Sequence, residues 1–139
     1  MLRALALIGL LLAAVIPAAA SEAGQLDGTW RLVEGQRDGA SAPELVGNLL
    51  ELTEGRFRIS AGANLLYAGT YALEPAAKPA RIDFRHDDGQ ANGQVWEGIY
   101  QLEGGRLSIC DDAPDVTKLR PTSFTTAPGS GHVLIIFER

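Results

Sequence analysis

The chain has 139 residues, with 12 Lys+Arg against 17 Asp+Glu and a formal net charge of −5. An acidic balance disfavours nucleic acid and anionic membrane surfaces as partners, since both reward basic patches. A single cysteine, Cys110, excludes an internal disulfide, so packing has to hold the fold.

The first twenty residues read as a secretory leader. Arg3 precedes an apolar run from Ala4 to Ile16, then come Pro17 and Ala18-Ala19-Ala20 before polar Ser21. Thirteen apolar residues fall short of the roughly twenty that cross a bilayer as a helix. Cleavage is therefore expected after Ala20, with no stable membrane anchor and a periplasmic or secreted product. The mature span, residues 21–139, is the length of one domain. Without Arg3 it carries 11 basic against 17 acidic residues, or about −6.

Along that span the apolar spacing is two almost throughout, the period of a half-buried strand. Trp30 and Leu32 mark a first strand, closed by a polar loop over residues 35–39. Ser41-Ala42-Pro43-Glu44 reads as a capping box opening a helix of at most two turns, stopped at Gly47-Asn48. Leu50 and Leu52, the turn Glu54-Gly55, and Phe57 and Ile59 spell a hairpin. Residues 65–73 form the next strand, with Tyr71 and Leu73 on one face, and Pro75 and Pro79 bracket a stiff connector. Ile82 and Phe84 alternate with Arg81, Asp83 and Arg85, and residues 86–94 make a polar loop. Trp96, Gly98, Tyr100 and Leu102 share one face of the following strand, which Glu103-Gly104-Gly105 turns back into Arg106 to Cys110. A longer loop containing Pro114 and Pro121 leads to a short strand near Ser123 to Thr126. Gly129-Ser130-Gly131 then turns into a last strand, His132 to Phe137. Eight or nine short strands with one short helix after the first predict an all-β, antiparallel, up-and-down meander, and closing it into a barrel removes its edges.

Gly28-Thr29-Trp30 at the start of the first strand and Arg139 at the end of the last resemble the lipocalin pattern, in which a G-x-W tryptophan sits at the closed end of the barrel under an arginine from the final strand. A cation over an indole face gives that pairing its physical basis. Further segments are similar to an uncharacterised family of lipocalin-like domains found mostly in planctomycete-type bacteria and often exported. They are Leu26-Asp27-Gly28-Thr29-Trp30, Gly69-Thr70-Tyr71, Lys78-Pro79 with Ile82-Asp83, Gly98-Ile99-Tyr100, Leu107 with Ile109-Cys110, and Arg120-Pro121-Thr122 with Phe124. The resemblance implies a lipocalin-like barrel with Trp30 and Arg139 as structural residues, and carries no active site with it.

The chain contains no G-x-S-x-G, H-E-x-x-H, C-x-x-C or phosphate-loop pattern, so no enzyme and no cofactor are expected. His86-Asp87-Asp88 and Asp111-Asp112-Asp115 read as solvated loop tips, with a weak cation site as the alternative and no metal expected. Cys110 is expected to be buried and inert. Trp30, Tyr71, Phe84, Trp96, Tyr100 and Phe137 either line a pocket or fill the core, since an eight-stranded barrel has room for side chains or for one small ligand. Arg120 is placed near the rim, where it meets either an anionic head group or a loop aspartate. Two functions follow: binding of a small hydrophobic or amphipathic ligand, or a filled barrel acting as a structural or protein-interaction module through the loops 86–94 and 111–121.

Overall fold

The computed structural model describes residues 18–113 and 119–139. The leader segment ahead of Ala18, with Arg3 and the apolar run, lies outside the described residues, as do Pro114 and Asp115. Helix α1 (Ala18–Leu26) precedes nine strands: β1 (Gly28–Arg37), β2 (Ala40–Ser41), β3 (Leu49–Thr53), β4 (Arg56–Ala61), β5 (Asn64–Glu74), β6 (Arg81–Gly89), β7 (Val95–Glu103), β8 (Arg106–Asp111) and β9 (Val133–Glu138). All pairings are antiparallel, and β3 to β9 follow in chain order from β1. β9 then pairs with β1, from Arg31↔Glu138 to Arg37↔Val133, which closes eight strands into a barrel and leaves β2 as a two-residue appendage on β1. The expected all-β up-and-down barrel is what the chain forms.

Local chemistry explains the regular part. Two-residue loops join β3 to β4, β4 to β5 and β7 to β8. In the first of them both Glu54 (φ 50°) and Gly55 (φ 79°) are left-handed, the geometry that matches the twist of paired strands. Three bulges, at Val33, near Leu66 and at Asp87, interrupt the alternation and bend the sheet toward closure. At the third, a Cβ on Gly69 would fall 1.8 Å from the Arg85 carbonyl oxygen, so only glycine allows this approach of β5 to β6.

Several boundaries differ from the alternation pattern. β1 continues through Gly35, and β6 takes in His86 to Gly89. The expected capping box does not form. Ser41 is in β2, Ala42 precedes the turn without a side-chain cap, and the helix is one 3-10 turn, Pro43–Leu45. The expected strand near Ser123 to Thr126 is irregular. Instead the stretch 119–128 lies outside the barrel wall, where Phe124 packs on the outward-facing cluster Ile99, Cys110 and Leu134. Arg120 anchors it through Asp83 at 2.7 Å, Glu97 at 2.8 Å and the Gly98 carbonyl at 2.8 Å. Beneath it Cys110 is fully buried and its thiol is pushed up to about 12, chiefly by burial. This is the buried cysteine expected from the sequence.

The strand directions put the start of β1, the end of β9 and the turns at 54–55 and 104–105 at one end of the barrel, which α1 seals. Leu26 is fully buried, and its carbonyl accepts the Trp30 indole N–H at 2.8 Å. Trp30 is itself 0% exposed, and the Arg139 guanidinium carbon lies 4.3 Å from the centre of its ring. Arg139 also donates to the backbone carbonyls of Asp27, at 3.1 Å, and of Gln25. The expected cation over the indole is present and does two jobs, covering the ring and tying α1 to the last strand.

Trp30→Ala is expected to cost roughly 3–5 kcal/mol in urea denaturation, the range for emptying a buried tryptophan site. A loss below about 1 kcal/mol would remove Trp30 from the core. Arg120→Ala should free the outer strap, so that Cys110 reacts with a thiol reagent faster than in the parent protein, with the barrel's circular dichroism unchanged. An equal labelling rate would show that Arg120 does not hold the strap.

Candidate functional site

The end of the barrel opposite Trp30 is hollow. A cavity of about 210 Å3 is walled by Leu32, Ile59, Tyr67, Trp96, Ile135 and Phe137 from the strands, with Leu45 and Ala113 from the loops above. Its polar contributors are Arg37, Asn48 and Asp111. The registers explain the shape. Alternation sends Leu32, Ile59, Tyr67, Trp96 and Phe137 inward from five different strands, and the bulges at Val33 and Leu66 widen the lining at the same level.

Of the residues expected to line a pocket, Trp96 and Phe137 do so. Tyr71, Phe84 and Tyr100 lie in the continuous core away from this cavity. Phe84 packs edge-on against Phe57 at 4.9 Å. The Tyr100 hydroxyl hydrogen-bonds Glu22 of α1 at 3.3 Å, and its pKa is driven up by burial and by Glu22. Tyr71 is raised for the same first reason, with Asp27 second. Arg120 faces outward rather than into the barrel, on the strand acids Asp83 and Glu97 rather than on a loop aspartate.

Two acidic loop tips turn out differently from each other. Asp87 and Asp88 are exposed, and Asp87 pairs with Arg56 at 2.9 Å. Asp111 and Asp112 are buried, against the expectation of solvated side chains. Asp112 folds back on β7 and accepts the Glu97 backbone N–H at 3.0 Å. Asp111 accepts the Ala113 N–H at 3.0 Å and faces the cavity, where burial lifts its pKa to about 7, Asp112 adds to the rise, and Arg37 opposes it. Among the described residues no group of three or more His, Cys, Asp or Glu is arranged to hold a metal ion.

His86 is the other polar group inside. It is 5% exposed, and neither ring nitrogen has a hydrogen-bond partner. Its ring stands 4.1 Å from Trp96, 5.1 Å from Phe57 and 5.7 Å from Tyr67, centre to centre. Gly69, opposite His86 on one side and Phe57 on the other, lets the two rings meet across a bare backbone. Burial in this aromatic box lowers the His86 pKa to about 4, only partly opposed by Asp87, so the ring is neutral at ordinary pH. The sequence signal for His86 was available, since it continues the inward series of Ile82 and Phe84. For Asp111 the signal was its position two residues beyond Ile109 on the same strand face.

No family model, curated protein or solved structure matches this chain.

The two buried groups pull stability in opposite directions with pH. Unfolded His86 takes up a proton near 6.5 and the folded form only near 4, so its contribution to stability falls as pH drops through that window, by roughly 3 kcal/mol in all. Folded Asp111 keeps its proton up to about 7, whereas the unfolded group loses it near 3.8, so its contribution falls as pH rises through that window, by roughly 4 kcal/mol. Relative to the parent protein, Asp111→Asn should therefore gain stability progressively from about pH 4 to 7, and His86→Phe should gain it progressively from about pH 6.5 down to 4. Urea midpoints measured across this range test both. A variant that tracks the parent curve at every pH would show that the residue it replaces does not titrate abnormally.

Proposed function

We propose that this chain is an exported binding domain whose barrel takes one small, largely apolar molecule at its open end. The observation that carries this reading is the asymmetry of the interior. One end is packed solid around Trp30 and sealed by α1, and the other holds an apolar cavity of about 210 Å3 whose lining includes a few polar groups, Arg37, Asn48 and Asp111. Ligand sites are built this way, with an apolar lining and a small number of placed polar contacts. The volume lies below the roughly 300 Å3 of a drug-sized pocket, so the ligand is a single ring or a short chain rather than a long-chain lipid.

Export is supported by the leader pattern and by where α1 makes its contacts. The hydrogen bonds and core packing that reach the barrel come from Glu22, Ala23, Gln25 and Leu26, all beyond the expected junction after Ala20. Cleavage there leaves the seal intact. The ordered set of segments from Leu26 to Phe124 supports grouping the chain with the lipocalin-like domains of planctomycete-type bacteria. The small cavity and the 86% exposed Leu119 on the outer strap favour a second reading, a protein-interaction module that has no small-molecule ligand.

A thermal-shift panel of small aromatic and short-chain amphiphiles separates the two. A ligand at a hundred times its Kd adds about 2.7 kcal/mol, a rise of several degrees in Tm. Ile135→Trp, which fills the cavity from β9, should keep the fold and lose that rise. A protein that arrives empty by native mass spectrometry from its own compartment, and that no compound stabilises, would defeat the ligand reading in favour of the interaction module.

A further inference from the structure

Asp111 is the cavity group whose position the fold has to arrange. It stands opposite Gly98 on β7 and Val133 on β9. A Cβ on residue 98 would come within 2.9 Å of the Asp111 Cβ and 2.7 Å of the Cys110 carbonyl oxygen, so the bare glycine provides the space that the aspartate stem occupies. The residue is 3% exposed, yet it forms part of a cavity whose other walls include Tyr67, Trp96 and Phe137. Arg37, the cation of the same lining, reaches toward Glu44 at 3.8 Å.

We propose that the cavity takes a small primary amine, its ammonium group seated on the Asp111 carboxylate and its apolar body, best an aromatic ring, against Tyr67, Trp96 and Phe137. This rests on the ligand-binding reading above and gives it a chemical class. A buried carboxylate is where a cation is worth most, because the surrounding dielectric is low and, among the described residues, Arg37 and the Ala113 N–H offset the cost of its burial only in part. Aromatic faces add attraction for the same cation. The chain's net charge of −5 favours its approach, and Glu44 offsets Arg37 at the rim. Above about pH 7, where Asp111 is ionised, a carboxylate ligand would instead set like charge against it.

Seating the ammonium releases the proton that buried Asp111 holds up to about pH 7. Among the described residues the ionisable groups around it are Arg37 from β1 and Asp112 next along the chain, and its partners on β7 and β9, Gly98 and Val133, carry none. Amine affinity therefore climbs with pH below 7, up to tenfold per unit, and levels off above.

Calorimetric titration of the mature chain with 2-phenylethylamine, 2-phenylethanol and 3-phenylpropanoate tests this at about pH 8 and pH 6. The amine should bind at least tenfold tighter than the alcohol at the higher pH and weaken about tenfold at the lower. Near pH 6, titrations in two buffers of different ionisation enthalpy should count close to one proton released per amine, a measurement that needs no variant. Asp111→Asn should abolish the preference for the amine, bringing its affinity to within about twofold of the alcohol's on the same variant. If the alcohol or the carboxylate binds as tightly as the amine, or no proton is released, the amine assignment is overturned while the ligand-binding reading stands. If none of the three binds, both fall.

Discussion

Everything inside this barrel depends on the β1–β9 pairing being made, because that ladder turns a meander with two open edges into a closed wall. The pairing is reinforced where it starts. Arg139, one residue past β9, lies over Trp30 near the beginning of β1 and holds the carbonyls of Gln25 and Asp27. The start of β1 and the end of β9 are thus joined at one point by a buried indole, a guanidinium and a short helix. No disulfide is available to do this, since Cys110 is the only cysteine. Removing the cation would expose the ring and free the backbone of α1 together, so the stabilisation at this point is cooperative rather than a sum of independent contacts.

The alternation of apolar residues made the barrel legible. Trp30 with Leu32, Phe57 with Ile59, Ile82 with Phe84 and Trp96 with Tyr100 all point inward as their spacing requires. Turn chemistry was equally readable at Glu54-Gly55 and Gly104-Gly105, because a two-residue loop between paired strands demands left-handed backbone. The lipocalin-like pairing of Trp30 with Arg139 was legible only through resemblance. Nothing in the spacing of two residues more than a hundred positions apart announces a contact.

What the pattern hid has physical causes. A bulge adds one residue without changing composition, so the inward series in β1, β5 and β6 shifts phase invisibly. The stretch 119–128 covers a strand rather than forming one near Ser123 to Thr126, because Ile99, Cys110 and Leu134 form an apolar patch on the outside of the wall that needs a lid. Asp111 and Asp112 read as a loop tip because carboxylates seldom go inside unpaired. Their burial depends on Gly98, the Ala113 N–H and the Glu97 backbone, partners supplied by tertiary structure. The capping box failed for a related reason, as Ser41 was taken by a bridge to Gln36 and its side chain was no longer at the head of a helix.

The uneven filling of the interior is the last consequence of closure. At the sealed end the inward positions carry Trp30, Tyr71, Tyr100 and Leu107, large enough to meet across an eight-stranded barrel, and α1 adds Leu26 from below. At the other end the inward positions of β8 and β9 carry Asp111, Val133 and Ile135, and Ala113 follows β8. Side chains of that size do not span the same width, so a gap remains where the aromatic residues Tyr67, Trp96 and Phe137 form one wall. Larger residues at 113 or 133 would have closed it and gained dispersion contacts. The open end instead combines unfilled volume with a buried carboxyl, two features that each reduce stability and that the packed end of the barrel avoids.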